Sequence, residues 1–149
     1  MHVTQMFSRN EIDGYLKAMD FTPTGKSAGP TRSELMGTLY RSIDFTPPQE
    51  VADAALQALT WLKKGKKGGT PIGIGRAIQL SLRLPVPPRD IERMVAYFRR
   101  HKKDLLSPKA QKGEITPGVV AWNLWGGWPG NVWSNQINME MKNASRYSY

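Results

Sequence analysis

From residue 46 onward, apolar side chains recur at the three- and four-residue spacing of α-helices, in segments that prolines and glycines separate. Thr46-Pro47 and Thr116-Pro117 each combine an N-cap side chain with a proline at the first helical position, and Gly126-Gly127 stops a helix. No segment of useful length alternates apolar and polar residues, as a half-buried strand would. The chain is therefore predicted to be all-α, with about five to seven helices.

The helical pattern divides the chain into three predicted parts. Residues 1–45 are expected to form a loosely tethered N-terminal helical arm, residues 46–143 a basic helical domain, and residues 144–149 a peripheral tail. Within the arm, a first helix starts near residue 10, and the Gly-, Pro-, Ser- and Thr-rich stretch 22–31 precedes a second helix at 33–41. At 149 residues and 40% hydrophobic composition, the chain is long enough to bury a core.

Five helices are predicted in the basic helical domain. The first follows Thr46 and ends before Gly65, and the others span residues 72–84, 89–106, 119–125 and 131–143. In helix 72–84, Ile74, Ala77 and Ile78 face the core, and Arg76, Gln79 and Arg83 line the opposite side. In helix 89–106 the buried stripe consists of Ile91, Met94, Val95, Phe98 and Leu105.

Residues 61–103 contain the whole excess of positive charge. This segment has twelve Lys and Arg against two acids, a net charge of +10, whereas the rest of the chain has nine bases and ten acids, a net charge of −1. A confined cationic patch attracts phosphate and gains free energy by releasing counterions. Helices 72–84 and 89–106, joined by a proline-rich turn, resemble a helix-turn-helix pair. The alternative is a solvated polar face without a ligand.

The charge pattern predicts a nucleic-acid interface. Phosphates would be held by the four lysines within residues 63–67 and by the backbone of Gly68-Gly69-Thr70. The candidates for reading bases are Arg89, Arg93 and Tyr97. The predicted nucleic-acid-binding residues are Lys63, Lys64, Lys66, Lys67, Arg76, Arg83, Arg89, Arg93, Tyr97, Arg99, Arg100, Lys102 and Lys103.

Four tryptophans lie within twelve residues: Trp122, Trp125, Trp128 and Trp133. Large aromatic side chains usually build the core of a small helical domain, and this is the interpretation favoured for Trp122 and Trp125. Trp128, in the turn GGWPG, is expected to be exposed. Exposed aromatic rings beside a basic groove can stack on unpaired bases.

Catalytic and metal-binding patterns are weak in this sequence. There is no cysteine, and the two histidines, His2 and His101, are far apart in the chain. Gly25-Lys26-Ser27 resembles the end of a phosphate-binding loop, but Asp20 occupies the position of its first glycine. The expectation is a non-enzymatic protein without cofactor or metal. No apolar run reaches the length of a membrane span, and the N-terminus does not read as a signal peptide.

Four segments resemble an uncharacterised domain of tailed-phage proteins. They are FTPPQEVADAA, GGTPIGIGRAIQL, IERMVAYFRRHKKD and TPGVVAWNLWGGWPGNVW, in this order within residues 45–133. The resemblance implies a phage or prophage origin and no known activity. The prediction is therefore a small phage-encoded nucleic-acid-binding protein, with DNA favoured over RNA, in the host cytoplasm or the virion interior.

Two further functions fit the same residues. One is a virion structural protein, such as a head, connector or decoration subunit, whose basic face meets acidic protein surfaces, other virion proteins or packaged DNA. The segment 1–45 favours this function, because mobile arms often order on binding a partner. The other is a phage inhibitor that blocks a host nucleic-acid enzyme.

Overall fold

The computed structural model describes residues 2–21 and 39–146, and within them all regular structure is helical. The described α-helices are α1 (Val3–Met6), α2 (Arg9–Ala18), α3 (Gln49–Lys63), α4 (Pro71–Ser81), α5 (Pro88–His101), α6 (Pro108–Gln111), α7 (Pro117–Leu124) and α8 (Gly127–Arg146), and a 3-10 segment (Lys102–Leu106) follows α5. The predicted all-α class is confirmed. The predicted loop 22–31 and most of the predicted helix 33–41 lie outside the described residues.

Side chains of Ser or Thr cap four of the eight described α-helices. The hydroxyls of Ser8, Thr70, Ser107 and Thr116 each accept a hydrogen bond from a backbone N–H in the first turn of the following helix. Thr46 is an exception, because α3 starts at Gln49 after Pro48, which has no capping side chain. The backbone N–H of Thr46 donates to Asp44 Oδ1 at 2.9 Å instead.

Helix α3 lies at the centre of the fold. It packs against α4, α7 and α8, and its residues Ala55, Ala58 and Leu59 are fully buried. Helix α5 packs against α8 and contributes Ile91, Met94 and Phe98 to the same core. One continuous hydrophobic core therefore joins the central helices.

The described part of the predicted arm belongs to this core, which corrects the expectation of a loosely tethered segment. Val3, Leu16 and Met19 are almost completely buried, and α2 packs against α4. The approach is close: a Cβ placed on Gly75 would lie 2.8 Å from the carbonyl oxygen of Tyr15. Only a glycine in α4 allows this contact.

The last helix is longer at both ends than predicted. Helix α8 already begins at Gly127 and continues to Arg146, so it includes Pro129 and the start of the predicted tail. The helix starts at a glycine pair with positive φ, Gly126 (111°) and Gly127 (64°), a conformation that other residues rarely adopt. Pro129 fits because the N–H groups of a first helical turn have no intrahelical acceptor to lose.

The two basic helices differ from a compact helix-turn-helix pair. Helix α4 packs against α2, α3 and α7, whereas α5 packs chiefly against α8. The connection between them is held by Val86, which is buried and whose N–H donates to the carbonyl oxygen of Phe45 at 2.9 Å. No helix within residues 2–21 and 39–146 has the length and hydropathy that a bilayer span requires.

Candidate nucleic-acid interface

Most of the predicted cationic side chains lie at the surface. Eleven of the twelve Lys and Arg residues between 61 and 103, all within the described part of the chain, are exposed. They are Lys63, Lys64, Lys66, Lys67, Arg83, Arg89, Arg93, Arg99, Arg100, Lys102 and Lys103. Of the two acids in this segment, Glu92 is exposed and Asp90 is buried. The exposed charges of the segment are therefore almost all positive.

Arg76 is the exception among the predicted cationic nucleic-acid-binding residues, because it is buried. Only 1% of this residue is exposed, and its Nη1 forms an ion pair with Asp90 Oδ2 at 3.1 Å. Nη1 also donates to the side-chain oxygen of Gln79, and the guanidinium lies 5.1 Å from the ring centre of Trp125. Arg76 therefore cannot reach a nucleic acid at the surface in this structure.

Burial changes the proton affinity of Arg76. Desolvation lowers the pKa of its guanidinium, and the neighbouring carboxylate of Asp90 acts in the opposite direction. Arg93 contacts the other oxygen of Asp90 at 3.3 Å, so one carboxylate joins two arginines from two helices. The Arg76–Asp90 pair therefore connects α4 to α5 inside the fold.

Tyr97 is also misplaced in the predicted interface. It is buried and stacks between two rings, with its centre 4.4 Å from that of Trp125 and 4.5 Å from that of His101. Burial raises the pKa of its hydroxyl, and the charge of Asp104 adds to this effect. The hydroxyl has no hydrogen-bond partner among the described residues. Tyr97 thus supports the core and does not read bases in this structure.

Among the exposed cations of residues 61–103, Arg83 and the lysines of α3 lie at opposite ends of α3. Near its start, Arg83 Nε donates to the carbonyl oxygen of Pro47 at 2.8 Å. Lys63 and Lys64 lie at its end, about 22 Å away for a fifteen-residue helix. Arg89 and Arg93 follow in the first turns of α5. We call Arg83, Arg89 and Arg93 the arginine group.

The other eight exposed cations lie on two segments that both approach the first turn of α7. A Cβ on Gly68, next to the lysines of the α3–α4 loop, would lie 2.5 Å from the carbonyl oxygen of Pro117. A Cβ on the following Gly118 would lie 2.9 Å from the Cβ of Asp104 in the 3-10 segment. The α3–α4 loop and the end of α5 therefore meet across α7. We call this set the lysine-rich region: Lys63, Lys64, Lys66, Lys67, Arg99, Arg100, Lys102 and Lys103.

Trp128 lies beside the lysine-rich region and is 50% exposed, as the sequence predicted. The ammonium of Lys102 is 5.8 Å from its ring centre. Trp122 and Trp133 are buried and Trp125 is half-buried, which confirms the assignment of these rings to the core or its margin. Trp128 was not among the predicted binding residues, although its position in the turn GGWPG indicated exposure.

A small cleft of about 280 Å³ lies between α2, α4 and α5 and is lined by Ala18, Met19, Asp20, Ile72, Arg76, Arg93 and Trp125. The charges of its two arginines are balanced by Asp20 at its wall and by Asp90 behind Arg76. The cleft therefore has no excess charge that would select an anion. Among the residues that the structure describes, no three His, Asp or Glu side chains are grouped as metal ligands.

The described part of the candidate interface offers exposed cations, backbone donors and an exposed aromatic ring. This chain was compared with protein-family models, curated proteins and solved structures. None of the three gives a match.

Proposed function

We propose that this protein binds nucleic acid through the lysine-rich region. The observation that carries the proposal is the surface charge of residues 61–103, where eleven cations and a single carboxylate, that of Glu92, are exposed. Such a surface attracts the phosphate backbone and releases its counterions on contact.

The geometry favours the lysine-rich region over the arginine group. Arg83 and Arg93 are engaged in intramolecular contacts, with the carbonyl oxygen of Pro47 and with the carboxylate of Asp90. Lys66 and Lys67, in contrast, are exposed in a loop and have no ion pair within the described residues. Flexible, unpaired ammonium groups are suited to phosphate contact without sequence reading.

The phage setting of this function rests on the resemblance of the four sequence segments alone. The virion structural alternative is favoured by a mobile arm of residues 1–45. Of this segment, residues 2–21 are packed into the core, and residues 22–38 lie outside the described part of the chain. No contact or cavity within the described residues favours the inhibitor of a host enzyme over simple nucleic-acid binding. We therefore retain one proposed function.

The test is a salt titration of affinity for a duplex and a single strand of the same length. The logarithm of the binding constant should fall linearly with the logarithm of salt concentration, with a slope of about −0.9 per neutralised duplex phosphate. The variant K66A/K67A/K102A/K103A should bind duplex more weakly and reduce this slope by up to about 3.6, if each lysine contacts one phosphate.

A matched control removes four exposed cations elsewhere: Lys17, Arg41, Lys142 and Arg146. This control changes the net charge equally and should preserve most of the slope, because its residues lie outside the proposed region. Equal effects of the two quadruple variants would contradict a localised interface, and a salt-independent affinity would contradict phosphate binding altogether.

A further inference from the structure

Trp128 is an exposed aromatic ring with a fixed position. Its ring centre lies 5.0 Å from that of buried Trp122, and the two planes meet at 63° in an edge-to-face contact. Half of the residue nevertheless remains accessible. The core therefore holds the ring at the surface, where most large aromatic side chains would be covered.

One cation lies near this ring, and a second shares its helical face. The ammonium of Lys102 lies 5.8 Å from the ring centre, and Arg99 precedes Lys102 by three residues, the spacing of neighbours on one helical face. Both side chains are exposed. His101 and Asp104, which follow on this segment, are paired with each other at 3.1 Å, so this carboxylate already has a partner.

The apolar surface continues along α8. Val132 lies one turn after Trp128 and is 64% exposed. A flat ring beside an aliphatic side chain and two cations matches the parts of an unpaired nucleotide: a base with two open faces and a charged phosphate. In a duplex those faces are already covered by neighbouring base pairs.

We propose that Trp128 stacks on an unpaired base, with Lys102 and Arg99 contacting the adjacent phosphates, and that this contact makes the protein prefer single-stranded to duplex nucleic acid. The inference rests on the proposed function, because the lysine-rich region supplies the nearby phosphate contacts. It adds a base-binding element to a surface that otherwise contacts only backbone.

The experiment compares affinities for single-stranded and duplex oligonucleotides of equal length at one salt concentration. Trp128→Leu keeps apolar bulk against Trp122 but has no aromatic face, and it should weaken single-strand binding by roughly 5- to 150-fold. Duplex affinity should change little. Trp128→Phe and Trp128→Tyr retain a ring and should keep most of the single-strand preference.

Met139→Ala is the matched control, since Met139 is also 64% exposed on α8 but lies about 16 Å from Trp128 along the helix. It should leave both affinities unchanged. Thermal unfolding of each variant shows that the comparison concerns folded protein.

Several outcomes overturn the inference. One is an equal loss of single-strand and duplex affinity in Trp128→Leu, which would indicate a general surface effect. Another is an unchanged single-strand preference in Trp128→Leu. If the self-association of this variant also changes on sedimentation, Trp128 is a protein contact. If only the inference fails, the steep salt dependence of duplex binding persists; if the proposed function fails, that salt dependence is absent from the parent protein as well.

Discussion

The carboxylate of Asp90 links two helices at the level of single residues. Its two oxygens contact the guanidinium groups of Arg76 in α4 and Arg93 in α5, and it lies in the first turn of α5, where a negative charge also complements the helix dipole. Because Arg76 and Asp90 are both buried, removing one partner leaves an uncompensated charge in a low-dielectric environment.

Replacing Asp90 with Asn should lower the free energy of unfolding by about 3–5 kcal/mol, because the charge of Arg76 then remains buried without its anion. Urea denaturation measures this loss. Glu92→Gln is the control, since Glu92 is exposed two residues further on and should change stability by less than about 0.5 kcal/mol. Equal stabilities of the Asp90 and Glu92 variants would show that the pair contributes nothing.

Replacing the pair with apolar side chains of similar size, Arg76→Met with Asp90→Leu, should recover most of the lost stability. Such a recovery would show that the stability lost in Asp90→Asn comes from the unpaired charge of Arg76 and not from lost packing. If the double variant is as unstable as Asp90→Asn, the hydrogen bond from Arg76 to Gln79 contributes more to stability than the ion pair does.

At the level of elements, short α7 acts as a spacer that other segments approach closely. Gly68 approaches its first turn, and a Cβ on Gly69 would overlap the side chain of Leu124, its last residue. Gly118 within α7 allows the 3-10 segment to approach from another side. The placement of the lysine-rich region thus depends on glycines as much as on lysines.

The variants Gly68→Ala and Gly65→Ala distinguish the destabilisation caused by steric overlap from that caused by backbone strain. Both glycines have positive φ, 148° and 95°, but a Cβ on Gly65 meets nothing within 4 Å whereas one on Gly68 overlaps Pro117. Gly65→Ala should therefore cost about 1–2 kcal/mol of strain. Gly68→Ala should cost at least about 3 kcal/mol, because steric overlap adds to strain.

Urea denaturation of the two alanine variants measures this difference. Similar losses would mean that the α3–α4 loop can move away from α7 without cost. In that case the lysines of this loop would not be held next to the end of α5, and the two halves of the lysine-rich region would be independent.

For the whole molecule, the N-terminal segment is part of the folding unit. Helix α1 contacts α3, α2 packs against α4, and Lys63 at the end of α3 lies 4.4 Å from the ring centre of Phe7. Residues 2–21 therefore complete the core next to α3 and α4. The cationic surface is built on a fold that includes these residues.

Leu16→Ala should lower the free energy of unfolding by about 2–5 kcal/mol, since Leu16 is only 2% exposed and its loss leaves a cavity. Lys17→Ala, at the neighbouring exposed position, is the control and should be nearly neutral. The measurement is chemical denaturation followed by circular dichroism. Wild-type stability in Leu16→Ala would indicate that residues 2–21 detach without affecting the domain.

The amino-acid sequence by itself determined the helical class, most helix starts and the core stripe of α5. Thr70, Ser107 and Thr116 cap helices through contacts only three residues away, so these local signals need no tertiary information. Helix α5 is covered on one side, and periodicity identified Ile91, Met94 and Phe98 of its buried stripe, whereas Val95 and Leu105 are only partly buried. The local concentration of charge is likewise a property of sequence.

The tertiary structure alone decided the environment of α4 and the division of the cations. Helix α4 is enclosed by α2, α3 and α7, so its polar side is buried too, and Arg76 is stable there because Asp90 comes from a different helix. Periodicity cannot reveal burial on all sides, nor a partner supplied by another element. The same holds for the lysine-rich region, which exists because glycines let α7 bring together the α3–α4 loop and the end of α5.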